Sequence, residues 1–226
     1  MKKAVILLLS LLLTMTMCAC RKDEAKNQDS STDDGSYDYF QPEPNRPEKP
    51  VIYLYPEKET LVRVELDFNG RLTSTYPAYR DGWTVVAQPD GTLTDDSDRE
   101  YYCLFWEGET QVEYDLSKGF CVKGEDTAEF LEDALVKLGL TDKEANEFII
   151  YWLSRMEGNA YNLIAFQQEI YTDNAVLTVT PAPDSMLRVF MAWKAVSVPV
   201  DIEAQELQDF ERSGFTVVEW GGAEVR

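Results

Sequence analysis

Thr60-Leu61-Val62-Arg63-Val64-Glu65-Leu66-Asp67-Phe68 is the stretch from which the fold of this chain is read. Val62, Val64, Leu66 and Phe68 alternate with Leu61, Arg63, Glu65 and Asp67, the two-residue period of a strand with one face in a core. Asn69-Gly70 follows, a strong hairpin signal, with Leu72 to Tyr76 as the returning strand. Upstream, Val51-Ile52-Tyr53-Leu54-Tyr55 are β-formers closed by Pro56. Downstream, Gly82 to Ala87, Tyr101 to Trp106 and Gln111 to Tyr114 extend an antiparallel set, with a turn at Pro89-Asp90-Gly91.

The period then changes. Phe130, Leu131, Leu135 and Leu138 predict a helix from about Thr127 to Leu138, with Asp126 before it and Gly139 as its stop. Thr141 and Glu144 form a capping box for a second helix, whose Ala145, Phe148, Ile149, Trp152, Leu153 and Met156 share one face. Strands return at Tyr161–Phe166, Ala175–Thr180, Leu187–Trp193 and Phe215–Trp220. The order predicts an α+β fold: an antiparallel β-rich domain with a two-helix insertion between β segments. The single domain is expected over 50–226, with β subregions at 50–115 and 160–222 around helices at 126–158. Those subregions share a short likeness. Five of seven residues agree between Arg80-Asp81-Gly82-Trp83-Thr84-Val85-Val86 and Arg212-Ser213-Gly214-Phe215-Thr216-Val217-Val218. A duplicated β unit and chance likeness both account for it.

The amino terminus reads as an export signal. Lys2 and Lys3 precede an apolar run from Ala4 to Met17, too short for a comfortable membrane span of about 20 residues. Met17-Cys18-Ala19-Cys20 has the form of a lipobox. Residues 1–19 are therefore expected to be a lipoprotein signal peptide and Cys20 the lipidated residue. This places the protein on the extracytoplasmic face of a bacterial cell membrane, with two acyl chains for a durable anchor. Residues 20–49 are rich in acid, amide and proline and read as a disordered tether.

Composition narrows the function. The chain carries 41 acidic and 21 basic residues, a net charge of −20, and no histidine. The acidity argues against nucleic acid as a partner. The missing histidine excludes Ser-His-Asp and Cys-His catalysis and the common histidine zinc sites. No cofactor or metal motif is present. Asp96, Asp98 and Glu100 echo the start of a calcium loop but lack its glycine and distal glutamate, and they read as a solvated turn. Cys103 and Cys121 remain beyond the leader; a disulfide between them and two buried thiols are both open readings.

Two carboxylates stand beside tryptophan, in Trp106-Glu107-Gly108 and Glu219-Trp220-Gly221. Glu107 and Glu219 are the candidate acids of a glycan hydrolase, which would need them to face each other across a cleft. Trp106 and Trp220 are the candidate ligand-stacking faces. Ten tyrosines, Tyr53, Tyr55, Tyr76, Tyr79, Tyr101, Tyr102, Tyr114, Tyr151, Tyr161 and Tyr171, offer a binding surface or half-exposed sheet faces.

Lys49-Pro50-Val51-Ile52-Tyr53-Leu54-Tyr55-Pro56, Phe148-Ile149-Ile150-Tyr151-Trp152-Leu153, Tyr161-Asn162-Leu163-Ile164 and Gly214-Phe215-Thr216-Val217-Val218-Glu219-Trp220-Gly221-Gly222 resemble an uncharacterised family of bacterial exported proteins and lipoproteins. The resemblance covers about 49–222 and implies one folded unit behind a variable tether. It carries over no activity, ligand or cofactor. The reading taken forward is a lipid-anchored, non-catalytic binding or envelope-associated module for a glycan or an envelope protein. The alternative is the carboxylate hydrolase.

Overall fold

Strands whose residues are apolar on both faces lie at the centre of the molecule, and those that alternate lie outside them. The computed structural model describes residues 43–225. The leader, Cys20 and the tether as far as residue 42 lie outside the described residues. The strands are β1 (Glu48–Tyr55), β2 (Thr60–Phe68), β3 (Arg71–Tyr76), β4 (Trp83–Ala87), β5 (Leu93–Thr94), β6 (Glu100–Tyr101), β7 (Leu104–Glu109), β8 (Phe120–Lys123), β9 (Tyr161–Gln167), β10 (Ala175–Thr180), β11 (Ser185–Val196) and β12 (Thr216–Glu224). The helices are α1 (Thr127–Lys137), α2 (Asp142–Met156) and the short α3 (Glu169–Thr172). The fold is strand-rich α+β, built mainly from antiparallel pairs.

A seven-stranded sheet runs β3-β7-β1-β12-β11-β9-β8, and a five-stranded sheet runs β10-β2-β4-β5-β6. The large sheet is the middle layer. On one face Val51, Tyr53, Val189, Met191, Trp193, Val218 and Trp220 pack with Leu131, Leu135, Phe148 and Trp152 of α1 and α2. On the other, Ile52, Leu54, Trp106, Phe190 and Val217 pack with Val62, Val64, Trp83 and Val85 of the small sheet. That double coverage explains why β12 is buried from Thr216 to Ala223. It also explains Gly222: a side chain there would begin 2.8 Å from the Trp152 ring and 2.6 Å from the Met191 carbonyl.

The alternation in Thr60–Phe68 holds, with Val62 and Val64 fully buried and Leu61 exposed. Asn69-Gly70, however, is not a hairpin. β2 and β3 belong to different sheets: β2 pairs with β4 and β10, β3 with β7. The Asn69 backbone and side chain both bond Asn174, and Thr110 Oγ1 donates to the Asn69 carbonyl. These bonds hold a corner between sheets, whereas a two-residue loop would have returned the chain beside itself.

Tyr101–Trp106 likewise divides. Glu100–Tyr101 pairs with β5 in the small sheet, and from Leu104 the chain joins the large one. Gln111–Tyr114, expected as a strand, is loop. The fold also begins before residue 50: Asn45 bridges Thr110 and Gly108 N–H donates to the Pro47 carbonyl.

Both helices form, although Asp126, the expected cap of α1, makes no side-chain capping bond. The Thr141–Glu144 capping box is present in both directions, and Gly139 leaves α1 with φ +97°. One pair departs from the antiparallel expectation: β11 and β12 are parallel neighbours. Their connection, residues 197–215, is an irregular strap. Gln205 pins it by using its side-chain amide as a strand would, accepting from Phe166 N–H at 2.8 Å and donating to Phe166 O at 2.6 Å.

The repeated heptads share only a local device. In each, a positive-φ glycine, Gly82 or Gly214, leads into a strand. Gly82 leads into β4, which pairs antiparallel with β2, whereas Gly214 leads into β12, which pairs parallel with β11. The two regions are therefore built differently.

Candidate functional site: an aromatic cleft beside Glu107

Successive residues of a strand point to opposite faces, so Trp106 and Glu107 cannot share a site. Trp106 points between the sheets, where its Nε1–H donates to Glu219 Oε1 at 3.0 Å. Glu107 points out of the opposite face and accepts from the Lys49 backbone N–H at 3.2 Å. The predicted pair of facing acids therefore does not form. Trp106 and Trp220 are both 0% exposed, one in each core, and neither has a ring face for a ligand.

Glu219 has instead a buried structural setting. Arg188 Nε donates to Glu219 Oε2 at 2.7 Å, and Nη2 lies 2.6 Å from the same oxygen. The guanidinium also stacks on Tyr171, 4.8 Å from its ring centre. Burial works against the charge on Arg188, yet the Glu219 carboxylate beside it raises its pKa above the ordinary value. Burial drives the Tyr171 phenol far upward, Glu219 adding to it.

Glu107 borders a cleft of about 500 Å³ on the helix side of the large sheet's β7 end. Its aromatic lining is Tyr76, Tyr101, Tyr102, Phe105 and Tyr151. Tyr76 and Tyr102 are each about half exposed, at 52% and 53%. Tyr76 packs edge-on to Tyr101 with centroids 5.4 Å apart, and Tyr102 lies 6.4 Å from Tyr53. The division of Tyr101–Trp106 between sheets builds this wall, because the crossing at Tyr102-Cys103 turns consecutive aromatics toward one opening. Of the ten tyrosines, Tyr53, Tyr114 and Tyr171 are core residues, while Tyr76, Tyr101, Tyr102 and Tyr151 meet here.

Charged groups ring the aromatics. Lys49, Arg99, Glu100 and Glu107 line the cleft, and Lys49 Nζ lies 5.6 Å from the centre of the Phe105 ring. Tyr151 donates to Glu48 at 3.1 Å, and Arg155 also bonds Glu48. Burial first, then the Glu48 charge, pushes the Tyr151 phenol up to about 12, so it stays a neutral donor. Burial pushes the Cys103 thiol up to about 11, Lys49 partly opposing it, so this cleft residue is a thiol at neutral pH. The arrangement can stack on a planar or sugar-like face and hydrogen-bond its rim with both donors and acceptors.

Lys49 was not singled out by the sequence. It is one of two non-glycine residues among those described with positive φ, at +58°, and it precedes a proline, a position that favours extended backbone. The β1 pairing slips between Glu48 and Val51, which aims the Lys49 N–H at Glu107. Strain of this kind collects at functional sites.

The remaining candidates lie apart. Cys103 and Cys121 are both free. Cys103 adjoins β7 and Cys121 sits on β8, with four strands between them. That separation is about 24 Å at one strand spacing each, far beyond the ~7 Å Cα limit of a disulfide. In the Asp95–Glu100 turn, Asp95 accepts from Ser97 and Arg99 backbone N–H and from Tyr101 at 2.7 Å, and the Ser97 and Tyr101 bonds hold its carboxyl well below the usual range. No cluster of three or more potential metal ligands occurs among the described residues.

No protein-family model matches the chain, and no solved structure does. The chain is similar to a protein of Butyrivibrio fibrisolvens described as an uncharacterised protein in the bglA 3′ region, with 44% identity over 64 residues. That stretch is 27% of this chain and 66% of the relative, so the chain spans just under two thirds of the relative's length.

Proposed function

We propose that this protein is a lipid-anchored, extracytoplasmic binding module that takes a glycan in the cleft beside Glu107. The observation that carries the binding reading is the convergence of Tyr76, Tyr101, Tyr102, Phe105 and Tyr151 on one opening rimmed by charges of both signs. Half-exposed tyrosines supply flat apolar area with a polar tip, which suits the faces and hydroxyls of sugars. The anchor reading rests on Lys2-Lys3, the apolar run and Met17-Cys18-Ala19-Cys20. The likeness to exported bacterial proteins in the Lys49–Pro56 and Gly214–Gly222 segments supports the same placement.

The test is a glycan and peptidoglycan-fragment array probed with the full chain and with Tyr102→Ala and Tyr76→Ala. A reproducible signal lost in both variants supports the reading. A blank array, or a signal that both variants keep, sinks it. Cys20→Ser should separately abolish incorporation of a labelled fatty acid in a bacterial host.

A further inference from the structure

A sheet edge exposes unpaired backbone donors and acceptors, and proteins blunt such edges with charge, bulges or short length. Among the described residues the two sheets have four edges: β3, β8, β10 and β6. β3 carries Arg71 and a register shift between Leu72 and Ser74. β8 is four residues long and ends in Lys123. β6 is two residues long. β10 has none of these devices. It is Ala-Val-Leu-Thr-Val-Thr, uncharged, mostly β-branched, and paired with β2 in unbroken register over all six residues.

Beside β10 lies an open hollow of about 480 Å³. Val176, Leu177 and Met186 give it apolar surface, and Gln168, Thr172 and Arg188 supply hydrogen-bonding groups. It is large enough for one or two side chains of an added strand. The charge around this edge has one sign. Asp67 stands opposite Val176 on β2. Glu169 and Asp173 are exposed just before β10. Arg63 is bound to Glu65 at 3.0 Å, and Arg188 is neutralised by Glu219.

We propose that β10 accepts an added strand from a partner polypeptide whose β-branched residues are flanked by lysine or arginine. Main-chain hydrogen bonds provide the attachment and the acidic surround selects the charge. A second copy of this chain is the poorer occupant, because two bodies of net charge −20 repel each other.

The experiment uses the full chain and synthetic peptides of alternating valine and threonine, about eight residues long, with lysine or with glutamate at both ends. Amide hydrogen exchange locates the contact and fluorescence anisotropy measures affinity. The lysine-flanked peptide should slow exchange within residues 175–180. Asp67→Asn with Asp173→Asn, both exposed changes, should weaken its binding by about fivefold, the scale of losing two exposed charge attractions; Thr178→Gln should leave it unchanged and controls for folding. Protection elsewhere, or equal affinity for the glutamate-flanked peptide, overturns the proposal. Dimers by light scattering with residues 175–180 already protected would also overturn it and give the edge to a second copy.

Discussion

Glu219 accepts a 3.0 Å hydrogen bond from the Trp106 indole, while Glu107, the next residue on the same strand, leaves through the opposite face of the sheet. One acid is thereby locked into the core with Arg188, and the other is given to the cleft. Glu219→Gln would leave the Arg188 guanidinium charged and 7% exposed with no counter-ion. A loss of about 3–5 kcal/mol is expected in urea unfolding, the usual cost of breaking a buried pair from one side. Arg188→Met with Glu219→Leu should cost clearly less, because no charge is then stranded. Equal losses would mean that the stranded Arg188 charge carries no penalty of its own.

Glu144 is expected to make the fold sensitive to acid. Its carboxylate closes the α2 capping box and binds Arg212, which also donates to the Gly139 carbonyl at 2.8 Å. Burial would raise its pKa, but Arg212 and the Thr141 N–H outweigh burial and hold it below the ordinary 4.5. The unfolded chain therefore takes up the proton first as pH falls. The stabilisation is complete above about pH 4.5 and fades as pH drops through the lowered folded value. Glu144→Gln should cost about 2–3 kcal/mol at pH 7, the lower end for a pair with one partly exposed member. It should also flatten the fall in stability between pH 5 and 3, as followed by denaturant midpoints at each pH.

Local periodicity made much of this fold legible, and pairing did not. The Thr141–Glu144 box, the Gly139 stop and the Thr60–Phe68 alternation are written in neighbouring residues, so they could be read directly. The corner at Asn69-Gly70 could not, because Asn174, more than a hundred residues away, holds it. The strap over residues 197–215 reads as acidic loop, and its anchor, the Gln205 amide on Phe166, leaves no periodic trace. The site was half visible. Glu107 and the tyrosines are legible in the sequence, but Glu107 and Glu219 land on opposite faces of the sheet, which only strand pairing decides. Trp106 and Trp220 fell to burial on both sides of a middle layer that composition alone does not reveal.

The cysteines offer a check on the sheet order. With four strands between them, Cys103 and Cys121 should both be titratable thiols in protein purified without reductant, once it is unfolded. In the folded protein Cys121, half-buried, should react with a thiol reagent well before Cys103. Cys103 is 8% exposed, and burial raises its thiol to about 11, leaving about one part in 10⁴ as thiolate at pH 7. A disulfide-linked peptide joining residues 103 and 121 in a digest would contradict the strand order itself.

Lys49 sets stability against the proposed binding. Its φ of +58° costs a side-chain-bearing residue about 1–2 kcal/mol relative to right-handed or extended backbone, and glycine carries no such penalty. Part of that gain is returned as greater freedom of the unfolded chain, so Lys49→Gly is expected to stabilise the fold by about 0.5–1 kcal/mol. The same change removes the ammonium above Phe105 from the cleft. Ligand affinity should then fall while the unfolding midpoint rises, with Lys49→Asn as the control that tolerates the backbone but lacks the charge. If Lys49→Gly stabilises and binding is untouched, the strained residue belongs to the β1 slip and the ligand does not meet it. If stability falls, the Lys49 ammonium over Phe105 outweighs the backbone strain.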